Sequence, residues 1–197
     1  MLIIGLTGSI ASGKSTITRY FLRHHIPVFD SDKIVHTLLG PGGSAIDPVL
    51  SAFGNVGSHD EGIDRQKLGA QVFGDKESLQ KLEQILHPLV AESRHHYMAF
   101  CRRHRFGAMV LDVPLLFETG TDHLCDVTMM SWAPEFLLEM RAMQRPAMTK
   151  EKFHAILSHQ LSQFEKAKLV DEKIATGIGY AAMTRQLHKL CHKWRLR

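Results

Sequence analysis

The chain has 197 residues, 24 basic and 20 acidic side chains and a net charge of +4, which is one domain's length with room for a small insertion and enough apolar surface to need no staples. Its three cysteines, Cys101, Cys125 and Cys191, are odd in number, far apart and without C-x-x-C spacing; that excludes a disulfide framework and points to reduced thiols. The N-terminus goes straight into Met1-Leu2-Ile3-Ile4-Gly5, without a basic leader, and no apolar run reaches membrane-spanning length, so a cytoplasmic chain with no membrane partner is expected.

In chain order, the apolar run 2–7 reads as a buried parallel strand. It is followed by Gly8-Ser9-Ile10-Ala11-Ser12-Gly13-Lys14-Ser15, which satisfies G-x-x-x-x-G-K-[ST] at every fixed position. Strand, glycine-rich loop and helix in that order fold backbone N–H groups around an anion at a helix N-terminus. Lys14 would reach the β- and γ-phosphates of a nucleoside triphosphate, and the Ser15 hydroxyl would ligate Mg²⁺. The helix covers 14–24, and 27–29 is the second strand.

Val28-Phe29-Asp30-Ser31-Asp32 places two acids at that strand's end. A right-handed crossover through the first helix would bring them to the rim of the phosphate loop. Asp32 would take the proton of an attacking hydroxyl. Asp30 reads nearly as well as a cap for a helix over 32–39 as it does as a functional group.

The stretch 34–106 shows helical segments and no convincing strand, so an inserted helical subdomain is expected, with turns at 40–43, 54–62 and His87-Pro88. The third strand, 108–111, ends in Asp112. A buried strand ending in an acid fits a second nucleotide motif, whose carboxylate binds Mg²⁺ directly or through water; a strand-end cap is the alternative. Further strands are expected at 126–130 and 173–175. Helices are expected over 134–145, over 149–161 with Thr149 as cap, and over 180–194. Arg141 and Arg145 would share one helix face, where either could meet phosphate charge, and 148–168 could form a mobile cover. Strand and helix in alternation give a three-layer α/β sheet.

Among thirteen histidines only His188 and His192 have ligand spacing on one helix face, and no third ligand can be named. No acid follows Glu172, while Arg185, Lys189, Lys193, Arg195 and Arg197 do. Without interleaved aromatic rings this tail reads as a solvated face, and nucleic acid is not an expected partner. N-K-x-D is absent, Asn55 being the only asparagine, which excludes a guanine-nucleotide switch; a motor ATPase would have no room for coupling elements. A small-molecule kinase remains.

Taken together the motifs resemble the dephospho-coenzyme A kinase family from about Leu2 to about Leu190. The matching pieces are Gly5-Leu6-Thr7-Gly8 with the phosphate loop, Asp30-Ser31-Asp32, Phe53-Gly54, Asp64-Arg65 with Leu68, Val72-Phe73 and Leu86-His87-Pro88-Leu89-Val90. Asp112-Val113-Pro114-Leu115-Leu116-Phe117-Glu118, Arg141 with Arg145, and Gln160 complete them. The resemblance implies a P-loop kinase fold in a single domain. Its core would be 1–33, 107–147 and 169–197, with a helical acceptor-binding region at 34–106 and a lid at 148–168. It implies ATP and Mg²⁺ as cofactors, and phosphorylation of the ribose 3′-hydroxyl of dephospho-coenzyme A by a monomer or small homo-oligomer. Asp32, Lys14 and Arg141 fall on its catalytic positions. Residues 8–15 with Thr16, Arg145 and Thr176 fall on its nucleotide site; Asp30, Arg65, His87, Pro88 and Asp112 on its acceptor side; and Ser15 and Asp112 on its metal site. The chain departs from the family at Ser9 and Ala11, where glycines are common, at Ser31 and Ile156, and at Thr176, where the last strand usually ends in Asn beside the adenine.

Overall fold

A computed structural model describes residues 1–72 and 74–196. Phe73 of the Val72-Phe73 piece and Arg197 of the basic tail lie outside the described residues. The elements in chain order are β1 (Leu2–Thr7), α1 (Lys14–Arg23), β2 (Val28–Asp30), α2 (Ser31–Leu39), α3 (Ile46–Phe53), β3 (Gly57–Ser58), β4 (Gly62–Ile63), α4 (Arg65–Val72), α5 (Lys76–Arg103) and β5 (Ala108–Asp112). After a 3₁₀ turn at Thr121–Leu124 come β6 (Val127–Trp132), α6 (Glu135–Met143), α7 (Lys150–Ser158), α8 (Gln163–Leu169), β7 (Glu172–Ala175) and α9 (Tyr180–Lys193). The chain divides into two compact units, one of Met1–Phe29 with Cys101–Arg197, the other of Asp30–Phe100. The second unit starts and ends a few residues before the inserted region expected at 34–106.

In the first unit five strands form a sheet in the order β2-β5-β1-β6-β7. β1 runs parallel to both β5 and β6, and β6 parallel to β7. The central strands β1 and β5 are apolar almost throughout and buried on both faces, as a parallel sheet covered on two sides requires. Ile4, Leu6, Val110, Met129 and Ile174 on one face pack against Ile17, Tyr20 and Phe21 of α1 and Met183, Leu187 and Leu190 of α9. Leu116 and Cys125 approach the other face at Gly5, and α8 packs on β6. This is the three-layer arrangement expected from alternation. Because β1 lies between β5 and β6, the loops after β1 and β5 leave neighbouring carboxyl ends of the sheet, the position at which open α/β sheets bind ligands.

Several expectations change. The 148–168 segment is two helices. α7 starts at Thr149, whose hydroxyl accepts from the Lys152 N–H, and ends at Ser158, short of 161. α8 opens with a capping box between Ser162 and Glu165. α7 packs on α6 through Phe153, beside Ile10 and Ala11 of the phosphate loop. α8 instead buries Gln163 and Lys166, with the Gln163 amide donating to the Ala133 carbonyl at 3.1 Å. It is therefore part of the sheet's cover, whereas α7 packs beside the phosphate loop. α6 ends at Met143, so Arg145 lies beyond it, exposed, and does not share a helix face with Arg141.

The second unit is mainly helical, with a core of Leu38, Leu39, Ala45, Ile46, Val49, Val56, Ile63, Leu68 and Leu86. It also holds a two-residue antiparallel ladder, β3 with β4, in a stretch read as strand-free. The turn expected at His87-Pro88 does not form, since Pro88 lies inside the 28-residue α5. Proline forfeits one helical hydrogen bond and crowds one carbonyl, at roughly 3 kcal/mol, a cost the rest of a helix this long carries. No helix among the described residues is long and apolar enough to cross a membrane, and those residues hold no cluster of three His, Cys, Asp or Glu suited to a metal. The His188 ring packs edge-on against those of Tyr20 and His24.

Candidate active site

The loop after β1 turns through Gly8 and Gly13. A methyl group on Gly8 would sit 2.1 Å from the Ser131 hydroxyl oxygen and 2.7 Å from that of Ser12. Gly13, at φ +92°, is the N-cap of α1, and a methyl there would press on the Thr176 side chain at 3.0 Å. Both positions need glycine, one for close approach and the other for a left-handed turn. Ala11 adopts φ +60°, a conformation in which the glycine common at this position would be unstrained. No side chain caps α1, so the N–H groups of Lys14 and Ser15 remain for an anion, while that of Thr16 donates to the Gly13 carbonyl at 3.0 Å. Ser15, the metal-binding candidate, is exposed on its first turn.

The loop is held from three sides. From the end of β6, the Ser131 hydroxyl meets that of Ser12 at 2.5 Å. After β7, the Thr176 hydroxyl reaches the Ser12 carbonyl at 2.5 Å and the Trp132 carbonyl at 3.1 Å. The Lys14 ammonium donates to Asp112 Oδ1, while the Thr18 hydroxyl donates to Oδ2 at 2.5 Å. Asp112 is 2% exposed. Lys14 and Asp112 were each expected at the site, but not as partners, and Thr18, which fixes the second oxygen from one turn along α1, was not expected there.

Beside the loop lies an open pocket of about 720 Å³ lined by Gly13, Thr16, Thr176, Gly177, Gly179 and Tyr180, together with Arg19, Arg23 and Arg141. Arg141 donates to the Thr176 carbonyl at 3.0 Å, and Arg23 to the Tyr180 hydroxyl at 3.2 Å. Arg141, Thr16 and Thr176 therefore line one pocket, and Arg145 is absent from the lining. Arg19 and Arg23 were not anticipated, because on a single sequence they are ordinary exposed helix arginines.

Lys166 was also missed. It is fully buried, and it donates to the Pro114 carbonyl at 2.7 Å and to Glu118 Oε1 at 3.0 Å. The same Glu118 oxygen accepts the Leu161 N–H at 2.7 Å, and the same Pro114 carbonyl accepts the Thr7 hydroxyl at 2.9 Å. Periodicity assigns polar residues outward, so a lysine on the inner face of α8 leaves no signal in the pattern.

In the second unit, Asp30 caps α2 by accepting the Lys33 N–H at 3.1 Å, the local role that sequence had left open beside the functional one. Asp32 is exposed on the first turn of α2. Arg65, at the start of α4, donates to the His36 ring at 2.6 Å. His87 and Pro88 are exposed on α5.

The chain matches the dephospho-CoA kinase family model over residues 2–178. It is 46% identical to the dephospho-CoA kinase of Rhodospirillum rubrum over 178 residues, which cover 90% of this chain and 84% of that one. A crystal structure from Thermus thermophilus superposes with a TM-score of 0.83 at 28% identity, covering 98% of this chain and 97% of that one. The dephospho-CoA kinase from Campylobacter jejuni superposes at 0.66 with 27% identity, covering 98% and 96%. The chain belongs to the dephospho-CoA kinase family.

Proposed function

We propose that this chain transfers the γ-phosphoryl group of ATP to the ribose 3′-hydroxyl of dephospho-coenzyme A, giving coenzyme A and ADP. The observation that carries the reading is the complete phosphate loop, with Lys14 gripped by Asp112, inside a family match that spans residues 2–178. The triphosphate lies along residues 8–15 with the nucleoside towards Thr16 and Thr176. Lys14 and Arg141 meet charge on the transferred group, where fixed cations stabilise the transition state without reorganising. Arg145, exposed beyond α6, is the weaker candidate for that role.

The 3′-oxygen attacks γ-phosphorus as the bond from γ-phosphorus to its bridging oxygen breaks, and the attacking hydroxyl gives its proton to Asp32. Asp30, engaged as the cap of α2, supports Asp32 rather than replacing it. Arg65, His87 and Pro88 belong to the acceptor side.

Mg²⁺ fits the donors present, a hydroxyl at Ser15 and a carboxylate at Asp112, both hard oxygens. This ion takes only one or two protein ligands beside phosphate and water. Both Asp112 oxygens already accept hydrogen bonds, so Ser15 would contact the ion directly and Asp112 through water. When bound, Mg²⁺ neutralises charge on the phosphates.

The test is ADP release from ATP and Mg²⁺, comparing dephospho-coenzyme A with adenosine, cytidine, nucleoside monophosphates and no acceptor. Release only with dephospho-coenzyme A, and coenzyme A as product, is expected. Equal release with another acceptor, or silence despite ATP binding, overturns the reading.

A further inference from the structure

Burying an ammonium is costly unless it is well paired, and a pair of opposite charges in the interior seldom adds to stability over apolar side chains of the same shape. Lys166 nevertheless lies fully buried in α8. Its partners are the Glu118 carboxylate, whose side chain is 17% exposed, and the carbonyl of Pro114. Pro114 stands two residues after Asp112, the carboxylate that holds Lys14. Its carbonyl also receives the hydroxyl of Thr7, the residue before the phosphate loop. One carbonyl therefore ties together the end of β1, the segment after β5 and α8. Glu118 in turn accepts the N–H of Leu161, just ahead of the Ser162 cap, so the same ion pair anchors the chain between α7 and α8.

We propose that Lys166 is a positioning residue for phosphoryl transfer: bridging the Pro114 carbonyl and the Glu118 carboxylate, it holds the Asp112–Glu118 segment in register with the phosphate loop, and through Asp112 it sets the place of the Lys14 ammonium. The inference rests on the reading of the chain as a dephospho-coenzyme A kinase. The electrostatics agree with the geometry. Burial pushes the Lys166 pKa down, Glu118 opposes that shift, and the charge of Lys14 adds to it, so the two ammonium groups act on each other. Loss of Lys166 should therefore be felt where Lys14 works. A side chain that only sealed the sheet would be replaceable by an apolar one of equal length.

The deciding protein carries Lys166→Met with Glu118→Gln, which removes both charges, shortens the first side chain only by its terminal nitrogen, keeps the length of the second and leaves an oxygen for the Leu161 N–H. Three quantities are compared with the unmodified chain: the urea midpoint of unfolding, the affinity for a non-hydrolysable ATP analogue, and the kcat and KM of ADP release with dephospho-coenzyme A. We expect an unchanged or higher midpoint, nucleotide affinity within about threefold, and kcat lower by about tenfold or more with little change in KM, the pattern of an interaction made mainly in the transition state. A folded double variant with unchanged kcat overturns the proposal. Thr7→Val serves if the double variant does not fold, since it removes the other hydrogen bond to Pro114 without disturbing a charge. A kcat lower by severalfold is then expected, and an unchanged one overturns the proposal. Silence of the unmodified chain with dephospho-coenzyme A would overturn the functional reading and this inference with it, whereas an active chain indifferent to both changes overturns this inference alone.

Discussion

Replacing Asp112 by Asn keeps the shape of the side chain and removes its charge. In the native chain one carboxylate oxygen accepts from the Lys14 ammonium and the other from the Thr18 hydroxyl at 2.5 Å, with the Lys14 side chain 16% exposed and that of Asp112 3%. A hydrogen bond to a charged group contributes about 1.5–3 kcal/mol. The amide retains one acceptor, so one such bond is lost and Lys14 is left without its counter-charge. The expected destabilisation is about 2–3 kcal/mol. For a chain of this size 1 kcal/mol moves the melting temperature by roughly 2–4 °C, so Asp112→Asn should melt about 4–12 °C lower. Lys14→Met should remove most of that difference, because the two changes act on one interaction. A saturating, non-hydrolysable ATP analogue should narrow it too, since phosphate oxygens then supply the charge that Lys14 lacks. Thermal unfolding of the four proteins, with and without the analogue, measures all of this. An Asn variant melting within about 1 °C of the parent in the absence of nucleotide would refute the reasoning.

Asp32→Asn should bind ATP normally and turn over at least about a hundredfold more slowly, the size of a general-base contribution; steady-state kinetics beside nucleotide titration check it, and unchanged turnover removes Asp32 from its role. Ala11→Gly should relieve the left-handed strain at φ +60°. That strain is about 1–2 kcal/mol, offset by about 0.5–1 kcal/mol from a looser unfolded chain, so a melting temperature higher by about 1–4 °C is expected, and no rise would contradict it. The Thr128 N–H and hydroxyl, at 2.7 and 2.8 Å, hold the Asp171 carboxyl below the usual carboxylate range. Its contribution is therefore complete above the unfolded value near pH 4 and lost as pH falls through the lower folded value. The stability gap between the parent and Asp171→Ala should be flat from pH 7 to about 5 and close below about pH 4; a gap constant into acid would show that the carboxylate is not responsible.

The elements legible in the sequence were those whose pattern is local. The run Leu2–Thr7 was read with both its ends, because a strand buried on two faces is apolar throughout and the phosphate loop stops it. Thr149 was legible as a cap because its chemistry acts within three residues. Pro88 misled for the complementary reason: its local preference is to break a helix, and α5 overrides that preference over 28 residues. Arg145 misled because spacing alone does not say where a helix ends.

The amino-acid order by itself determined the chemistry at the head of the chain: a strand, two glycines with no tolerable substitute, a lysine and a hydroxyl, in a spacing that binds phosphate whatever surrounds it. It also determined the alternation that makes a parallel sheet, because hydrophobic period and helix signals are written within a dozen residues. Only the tertiary structure decided which distant groups complete that loop. Thr18 and Asp112 are 94 positions apart, Ser12 and Ser131 are 119 apart, and Ser12 and Thr176 are 164 apart. It decided as well that Lys166 faces inward. Such pairings follow from strand order and from the need to satisfy each buried polar group, which are properties of the folded sheet as a whole and leave no periodic trace in any one segment.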